Sequence, residues 1–245
     1  MNKKPKILFY DIETSPNLGY VWEKYEQNVL SYTKEWELLS FAWKWQGEKT
    51  VNCLGRIDFK DKTEKSLVKS LWNVLNEADI VIGHNSDEFD NKKARAKFVE
   101  HSLSPPTPYK TIDTKKVAKS NFKFNSNSLN DLGKTLKLGE KVHTGGFDLW
   151  LDCMAGKKSA WAKMKKYNKQ DVLLLEKVYD KLKVWDTKHL DLSAMAGTPG
   201  NCPLCASPNL HKRGFNYTRS SVRAKMRCMD CGHWSFGPIK RIKSQ

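Results

Sequence analysis

The sequence predicts an α/β domain with a mixed β-sheet, followed by a small C-terminal module. Its 245 residues suffice for one medium domain and one small one. Short apolar runs alternate with segments of helical periodicity between residues 5 and 185, which is typical of the α/β class. Beyond residue 198 the composition changes, because basic residues dominate and four of the six cysteines occur there.

The first half of the chain contains most of the predicted strands. Residues 5–10 are nearly all apolar, as in a strand covered on both faces, and we expect Asp11 to end that strand. The leucines between residues 63 and 76 recur at helical spacing. The predicted elements are strands over residues 5–10, 38–45, 50–54 and 80–83, and a helix over residues 63–76.

The second half is predicted to be mainly helical. Three prolines near residue 105 separate a helix from a short strand. The predicted elements are helices over residues 88–101, 128–138 and 158–185, and a strand over residues 109–113. A segment rich in proline and glycine then predicts a linker. The expected organisation is a domain over residues 1–186, a linker over 187–200 and a module over 201–245.

The net charge of +16 predicts a polyanionic partner, with nucleic acid as the first candidate. Residues 198–245 hold nine lysines and arginines against one acid, Asp230, so half of the surplus lies in the last fifth of the chain. The alternative is that the surplus only keeps the protein soluble.

Four cysteines form two Cys-x-x-Cys pairs in the C-terminal module. Each spacing lets a tight turn direct two sulfurs at one ion, and the chain between the pairs can form a hairpin. We therefore predict one structural Zn²⁺, bound by Cys202, Cys205, Cys228 and Cys231.

Two basic rows are predicted between these cysteine pairs. If residues 213–219 form a strand, then alternate residues share a face that mixes guanidinium groups with aromatic rings. The expected nucleic-acid contacts are Arg213, Phe215, Tyr217 and Arg219 in the first row, and Arg223, Lys225 and Arg227 in the second. The alternative is that both rows are only solvated.

No apolar run exceeds four residues, so the sequence predicts no membrane span and no membrane partner. The N-terminal apolar run is also too short for the hydrophobic region of a signal peptide. The expected location is the cytoplasm.

Carboxylates at two distant positions predict a site for Mg²⁺ or Mn²⁺. Asp11 and Glu13 are two residues apart at the end of the first strand, so they point to the same side. Two adjacent carboxylates favour a hard divalent cation. Tyr167 and Asp171 lie four residues apart on one face of the long helix, where apolar neighbours surround the aspartate. A third acidic segment, residues 84–90, follows the strand over 80–83.

Together these residues resemble the DEDD superfamily of ribonuclease H-like 3′-5′ exonucleases, in the branch with tyrosine in its third motif. The first motif matches at residues 11–14, the second at Asn85 to Asp90, and the third at Tyr167 to Asp171. The chain is most similar to the proofreading domains of family B DNA polymerases and to free-standing bacterial and phage relatives. The last module resembles the zinc ribbons of transposases and other nucleic-acid enzymes.

The resemblance implies a ribonuclease H-like mixed sheet and hydrolysis with two metal ions, Mg²⁺ or Mn²⁺. Tyr167 would orient or help to deprotonate the attacking water, Asn85 would contact the terminal nucleotide and Thr14 would lie near the 3′-hydroxyl. Asp90 matches the second motif better than Asp87. The implied ligands of the two ions are Asp11, Glu13, Asp90 and Asp171.

The expected function is release of 5′-mononucleotides from the 3′ end of a single strand, with DNA favoured over RNA and the zinc ribbon helping to bind it. The expected location becomes the cytoplasm of a bacterial or phage-infected cell, and a replication or repair protein is a further candidate partner. Two alternatives remain open: a structure-selective endonuclease on the same fold, and a non-catalytic zinc-ribbon protein that binds nucleic acid. The sequence does not indicate the oligomeric state.

Overall fold

The computed structural model describes residues 4–25, 28–61, 63–141, 144–186 and 188–242. The chain divides into two compact units. One contains residues 6–116 and 126–178. The other contains residues 4–5, 117–125 and the described chain from Tyr179 onward.

The regular elements follow the predicted alternation of strands and helices. The first part of the chain contains β1 (Ile7–Thr14), β2 (Leu18–Tyr20), β3 (Ser31–Lys34), β4 (Leu38–Trp45), β5 (Asn52–Gly55), α1 (Glu64–Asn76), β6 (Ile80–Gly83), α2 (Asp90–Glu100) and β7 (Lys110–Asp113). The second part contains α3 (Thr114–Asn121), α4 (Leu129–Thr135), α5 (Asp148–Met154), α6 (Lys158–Leu182), α7 (Leu192–Met195), β8 (Leu210–Tyr217), β9 (Ser221–Cys228), β10 (Trp234–Phe236) and β11 (Lys240–Arg241).

The larger unit is built on a five-stranded sheet in the order β5-β4-β1-β6-β7. Strand β1 is central, antiparallel to β4 and parallel to β6, and β6 is parallel to β7. This arrangement confirms the predicted mixed sheet. The burial of β1 on both faces explains its nearly continuous apolar sequence.

Helices cover both faces of this sheet. Leu8, Tyr10 and Ile12 of β1 pack in one core with residues of α1 and α2. In a second core, Leu39 of β4 packs with residues of α5 and α6. Because side chains alternate along a strand, Asp11 and Glu13 point to the face opposite the α1 and α2 core.

Strand β1 is longer than the sequence predicted. The expectation that it ends at Asp11 was wrong, because pairing with β4 continues through Asp11, Glu13 and Thr14 with an irregularity after Glu13. Hairpin β2–β3 and helices α3 and α5 were not predicted. Among the described residues, no helix is long and apolar enough to span a membrane.

The smaller unit packs around the cysteines. Val184 contacts the core formed by Cys202, Leu204 and Cys228. His233 Nδ1 donates a hydrogen bond to the carbonyl of Val184 at 3.0 Å. Within the predicted linker, Asp191 caps the short helix α7 by accepting hydrogen bonds from two backbone amides. The domain boundaries at residues 187–200 stay a prediction.

The zinc-ribbon sheet has β9 at its centre, paired with β8, β10 and β11. The expected strand over residues 213–219 was wrong at both ends. Strand β8 ends at Tyr217, which leaves Arg219 outside it. The pairing with β9 is also irregular between Lys212 and Phe215, so Arg213 does not follow the alternation of side chains between the two faces of the strand. Gly214, within this irregularity, has a φ of 88°.

Candidate metal centre and the family

Strand β1 and helix α6 bring three of the predicted carboxylates together. Asp11, Glu13 and Asp171 each offer an oxygen, and these oxygens lie within 4.8 Å of one another. The two strand residues share a face because they are two apart, and Asp171 reaches them from the helix packed on that side. Oxygen ligands at this separation suit a hard divalent cation.

Asp90 lies at the start of α2 and is buried. Its Oδ1 accepts a hydrogen bond from the backbone amide of Ile12 at 3.1 Å, which places it beside β1. Asp87 is held differently, since Lys116 Nζ lies 2.9 Å from its Oδ2 and the Asn91 side chain donates to its Oδ1. The geometry therefore favours Asp90 as a neighbour of the cluster, although its part in metal binding stays a prediction.

The four carboxylates repel one another in a buried environment. Burial raises the pKa of Asp11 well above its ordinary value, and the charges of Asp90 and Glu13 raise it further. Burial, followed by the charge of Asp171, raises the pKa of Glu13 to about 8. Burial also raises the pKa of Asp90 to about 7. A bound cation would relieve this repulsion, so the site is electrostatically suited to metal.

One oxygen of this cluster has no hydrogen-bond partner. Asp171 Oδ1 is buried and unpaired, whereas its Oδ2 accepts a hydrogen bond from Lys141 Nζ at 2.6 Å. A buried carboxylate oxygen without a partner is costly, and coordination to a metal ion would satisfy it. This orphaned oxygen and the all-oxygen donor set fit the divalent ions that the motifs imply.

Lys141 was not predicted from the sequence. Besides Asp171, its ammonium contacts the Tyr167 hydroxyl at 3.2 Å. Burial works to lower the pKa of Lys141, but the charges of Asp171 and Tyr167 outweigh that effect and raise it. The lysine lies between α4 and α5 in a chain with 43 basic residues, so no sequence pattern distinguished it.

Asn168 was also missed, although it follows Tyr167 directly. Its Nδ2 donates to Asp11 Oδ2 at 2.7 Å, and its Oδ1 accepts from Ser40 Oγ at 3.1 Å. This buried amide ties α6 to β1 and β4 and fixes the position of Asp11. Trp150 lies beside Glu13, and its side chain works to lower the pKa of that carboxyl.

A cavity of about 410 Å³ opens beside the carboxylates and is lined by Thr14, Ser15, Pro16, Phe147 and Trp150. The hydroxyl of Thr14 accepts a hydrogen bond from Lys93 Nζ at 3.3 Å. The cavity therefore combines two aromatic rings with the hydroxyl of Thr14, the residue that follows Glu13 in the chain.

Asn85 sits in a strained turn after β6, with a φ of 63°. Asp113 stabilises that turn, because its carboxylate accepts hydrogen bonds from the backbone amides of Asn85, at 2.9 Å, and Asp87, at 3.3 Å. Asp113 thus has a structural role at this turn. Contact between Asn85 and a nucleotide stays a prediction.

The four cysteines of the ribbon also form a cluster, with all four sulfurs within 4.8 Å of one another. The Cys202–Cys231 and Cys205–Cys228 sulfur pairs are each 3.7 Å apart. A tetrahedral ion with Zn–S bonds of about 2.3 Å requires sulfurs separated by about 3.8 Å. The predicted cysteines therefore fit one Zn²⁺.

The comparisons with known proteins agree with this geometry. The family model described as RNase_H superfamily matches residues 8–183. Because this match covers most of the chain, the protein belongs to the RNase H superfamily. A search of curated proteins finds no match.

A solved structure supports the same fold. The family B DNA polymerase from the hyperthermophilic archaeon Pyrobaculum calidifontis matches with a TM-score of 0.53 and 13% sequence identity. The match covers 78% of this chain and 27% of the polymerase chain. At this identity the likeness shows the fold alone. It agrees with the ribonuclease H-like fold that the motif resemblance implied.

Proposed function

We propose that the protein is a metal-dependent 3′-5′ exonuclease that releases 5′-mononucleotides from single-stranded nucleic acid. The observation that carries this proposal is the cluster of the half-buried Asp11 and Glu13 with the buried Asp171, in which one oxygen of Asp171 has no partner. Without a cation the carboxylates of such a cluster repel one another. With bound divalent ions the cluster can support hydrolysis of a phosphodiester.

Asp11, Glu13, Asp90 and Asp171 would hold two Mg²⁺ or Mn²⁺ ions. When bound, such ions activate a water molecule and stabilise the leaving oxygen of a phosphodiester. The chain keeps each carboxylate in place through a separate neighbour: Asn168 for Asp11, Trp150 for Glu13, Lys141 for Asp171 and the Ile12 amide for Asp90.

Tyr167 orients the attacking water rather than deprotonating it. Burial and the charge of Glu13 raise the pKa of its hydroxyl, so the phenol stays protonated at neutral pH. Lys141 contacts the same hydroxyl and limits where it can point. A fixed, neutral hydroxyl can hold a water molecule in line with the phosphorus.

The cavity beside Glu13 receives the terminal nucleotide. Phe147 and Trp150 provide ring faces for an unpaired base, Thr14 lies at the edge for the 3′-hydroxyl, and Asn85 is a further contact. An unpaired base fits this cavity, which favours single-stranded substrates. DNA is the favoured nucleic acid because the neighbouring solved structure is that of a DNA polymerase.

The zinc ribbon holds one structural Zn²⁺ and contributes to nucleic-acid binding. The basic composition of residues 198–245 and the four-cysteine cluster support this role. The sequence favours the cytoplasm as the location and a replication or repair protein as a further partner.

The test is digestion of a 5′-labelled DNA oligonucleotide with Mg²⁺ or Mn²⁺. We expect a ladder that shortens from the 3′ end, and no cleavage with Asp11→Asn. Internal cuts would instead indicate an endonuclease, and binding without any metal-dependent cleavage would indicate a non-catalytic protein. A matched RNA oligonucleotide tests the preference for DNA.

A further inference from the structure

The strand pairing of the zinc ribbon separates its exposed side chains onto two faces. Cross-strand partners in an antiparallel pair share a face. Arg227 pairs with Trp234 and Lys225 pairs with Phe236, so β9 cations and β10 rings lie together. On the other face, Phe215 of β8 pairs with Ala224 and Tyr217 pairs with Val222. We call the first the cationic face.

The cationic face interleaves charges with rings. The Arg223 guanidinium lies 4.5 Å from the centre of the Phe236 ring, and the Arg227 guanidinium lies 5.9 Å from that of Trp234. Both distances are within the range of cation–π attraction, which orients the rings before any ligand arrives. Trp234 and Phe236 remain 49% and 52% exposed.

No acid neutralises this face within the described part of the ribbon. Asp230 is the only acid between residues 198 and 245, and its carboxylate accepts hydrogen bonds from Ser207 and Asn209. The cations repeat every second residue along β9, about 6.7 Å apart. Arg241 of β11 adds a further charge, since it pairs with Ser221 on the same face. Regularly spaced cations with open rings match a chain of phosphates carrying unpaired bases.

We propose that the cationic face, formed by Arg223, Lys225, Arg227, Trp234, Phe236 and Arg241, binds single-stranded nucleic acid by stacking bases on the two rings. The arginines and the lysine contact the phosphates. The opposite face carries Phe215 and Tyr217 beside the aliphatic Val222 and Ala224, with Lys212 at 4.0 Å from the Phe215 ring, and takes no part because it lacks the row of alternating cations. This inference rests on the proposed function, because its ligand is the substrate class of the proposed exonuclease.

The experiment measures binding of a 5′-fluorescein oligothymidylate of about 16 nucleotides. The full chain carries Asp11→Asn and retains its zinc, and the buffer contains no other divalent ion. We expect Trp234→Ala and Phe236→Ala each to raise the Kd roughly tenfold. Neither change should affect binding of an abasic oligonucleotide of the same length. A duplex of that length should bind without dependence on the two rings.

Two further sets of variants complete the design. Arg223→Gln and Arg227→Gln should each lower the slope of log Kd against log salt by about 0.7, the value for one lost single-strand phosphate contact. Phe215→Ala and Tyr217→Ala are matched controls from the opposite face, where the side chains are 42% and 69% exposed, and should leave the Kd unchanged. Zinc content of one per chain shows that each variant keeps its ribbon folded.

An unchanged Kd in the Trp234 and Phe236 variants would overturn the inference, and so would an equal loss in the Phe215 and Tyr217 controls. The outcome is independent of the exonuclease test. A protein that binds through this face but never cleaves would reject the proposed function alone, whereas normal cleavage with no effect of the ring variants on Kd would reject this inference alone.

Discussion

The protein has two candidate metal sites that are built in opposite ways. The carboxylate cluster gathers residues from a central strand and a helix near the other end of the domain. The cysteine cluster comes from two short turns within residues 202–231. One site therefore depends on the whole fold of its unit, whereas the other organises the short segment around it.

The surroundings of the ligands differ as well. Each carboxylate has its own polar neighbour, and Asp171 keeps one oxygen unpaired. The four sulfurs instead have the separations expected around one tetrahedral ion, and together they would complete its coordination. A metal site suits catalysis when other residues hold its ligands in place and a coordination position stays free for water or substrate. A site whose coordination positions are all taken by protein ligands suits a structural role. The comparison predicts that loss of one ligand has different consequences at the two sites.

The largest expected effect is on the folding of the ribbon. Cys228→Ser should lose the zinc and unfold the ribbon, because structural zinc contributes about 10–16 kcal/mol to modules of this kind. Metal analysis and limited proteolysis measure both effects. Met229→Ser, at the next position, is the control and should retain one zinc per chain. Retention of zinc by the Cys228 variant would remove this residue from the ligand set.

At the carboxylate cluster we expect the reverse, a loss of activity without loss of the fold. Asp11→Asn should lower the cleavage rate by at least about 10³-fold, because it removes a ligand for the ions that stabilise charge in the transition state. Circular dichroism and the melting temperature check the fold.

Asp90→Asn and Asp87→Asn form a matched pair at the same cluster. We expect a loss of activity in the first and near-normal activity in the second, since Asp87 is bound by Lys116 and Asn91 instead. Initial cleavage rates of the two variants decide the matter. The opposite ranking would show that Asp87 is the ligand.

Tyr167→Phe should slow cleavage by about 10²-fold, which is the loss expected when a reacting group is misplaced by about 1 Å. The shape of the pH profile should not change, because the raised pKa keeps the phenol protonated across the neutral range. The measurement is the single-turnover rate against pH. Disappearance of one limb of the profile in the variant would show that Tyr167 titrates as a base.

The smallest expected effect is on thermal stability without divalent ions. Burial raises the pKa of Glu13 from 4.5 to about 8, so its contribution to stability is complete below pH 4.5 and is lost as the pH rises through about 8. The melting temperature should therefore fall by a few degrees over this range, and Mg²⁺ or Mn²⁺ should restore it at the upper end. Glu13→Gln should flatten the dependence, whereas the exposed Glu88→Gln should not.

Much of the fold followed from the sequence because local patterns determine it. Strands β4 and β6 have the predicted bounds, since β6 is a short apolar run and β4 is a mainly apolar segment that a turn follows. Hairpin β2–β3 was missed because its side chains are exposed on both faces, so no alternation marks it. The end of β1 was misplaced because pairing with β4, which is a tertiary contact, carries the strand past Asp11.

Part of the candidate site was also predictable from local sequence patterns. The carboxylates and the cysteines lie in short motifs with recognisable spacing. Lys141, Asn168 and Trp150 act across long sequence distances, so only the structure brings them to the carboxylates. In the ribbon, Gly214 permits an irregularity that shifts the register of β8, and strict alternation could not anticipate it.

Asn168 has a consequence for recognising related chains. Its amide group joins Asp11 to Ser40, so the helix motif and two strands must match one another for the site to form. A search based on tyrosine and aspartate four residues apart ignores this dependence and accepts many unrelated helices. A fingerprint that also requires asparagine after the tyrosine, and a small hydroxyl residue on the strand beside the first motif, would select chains that can assemble the same centre.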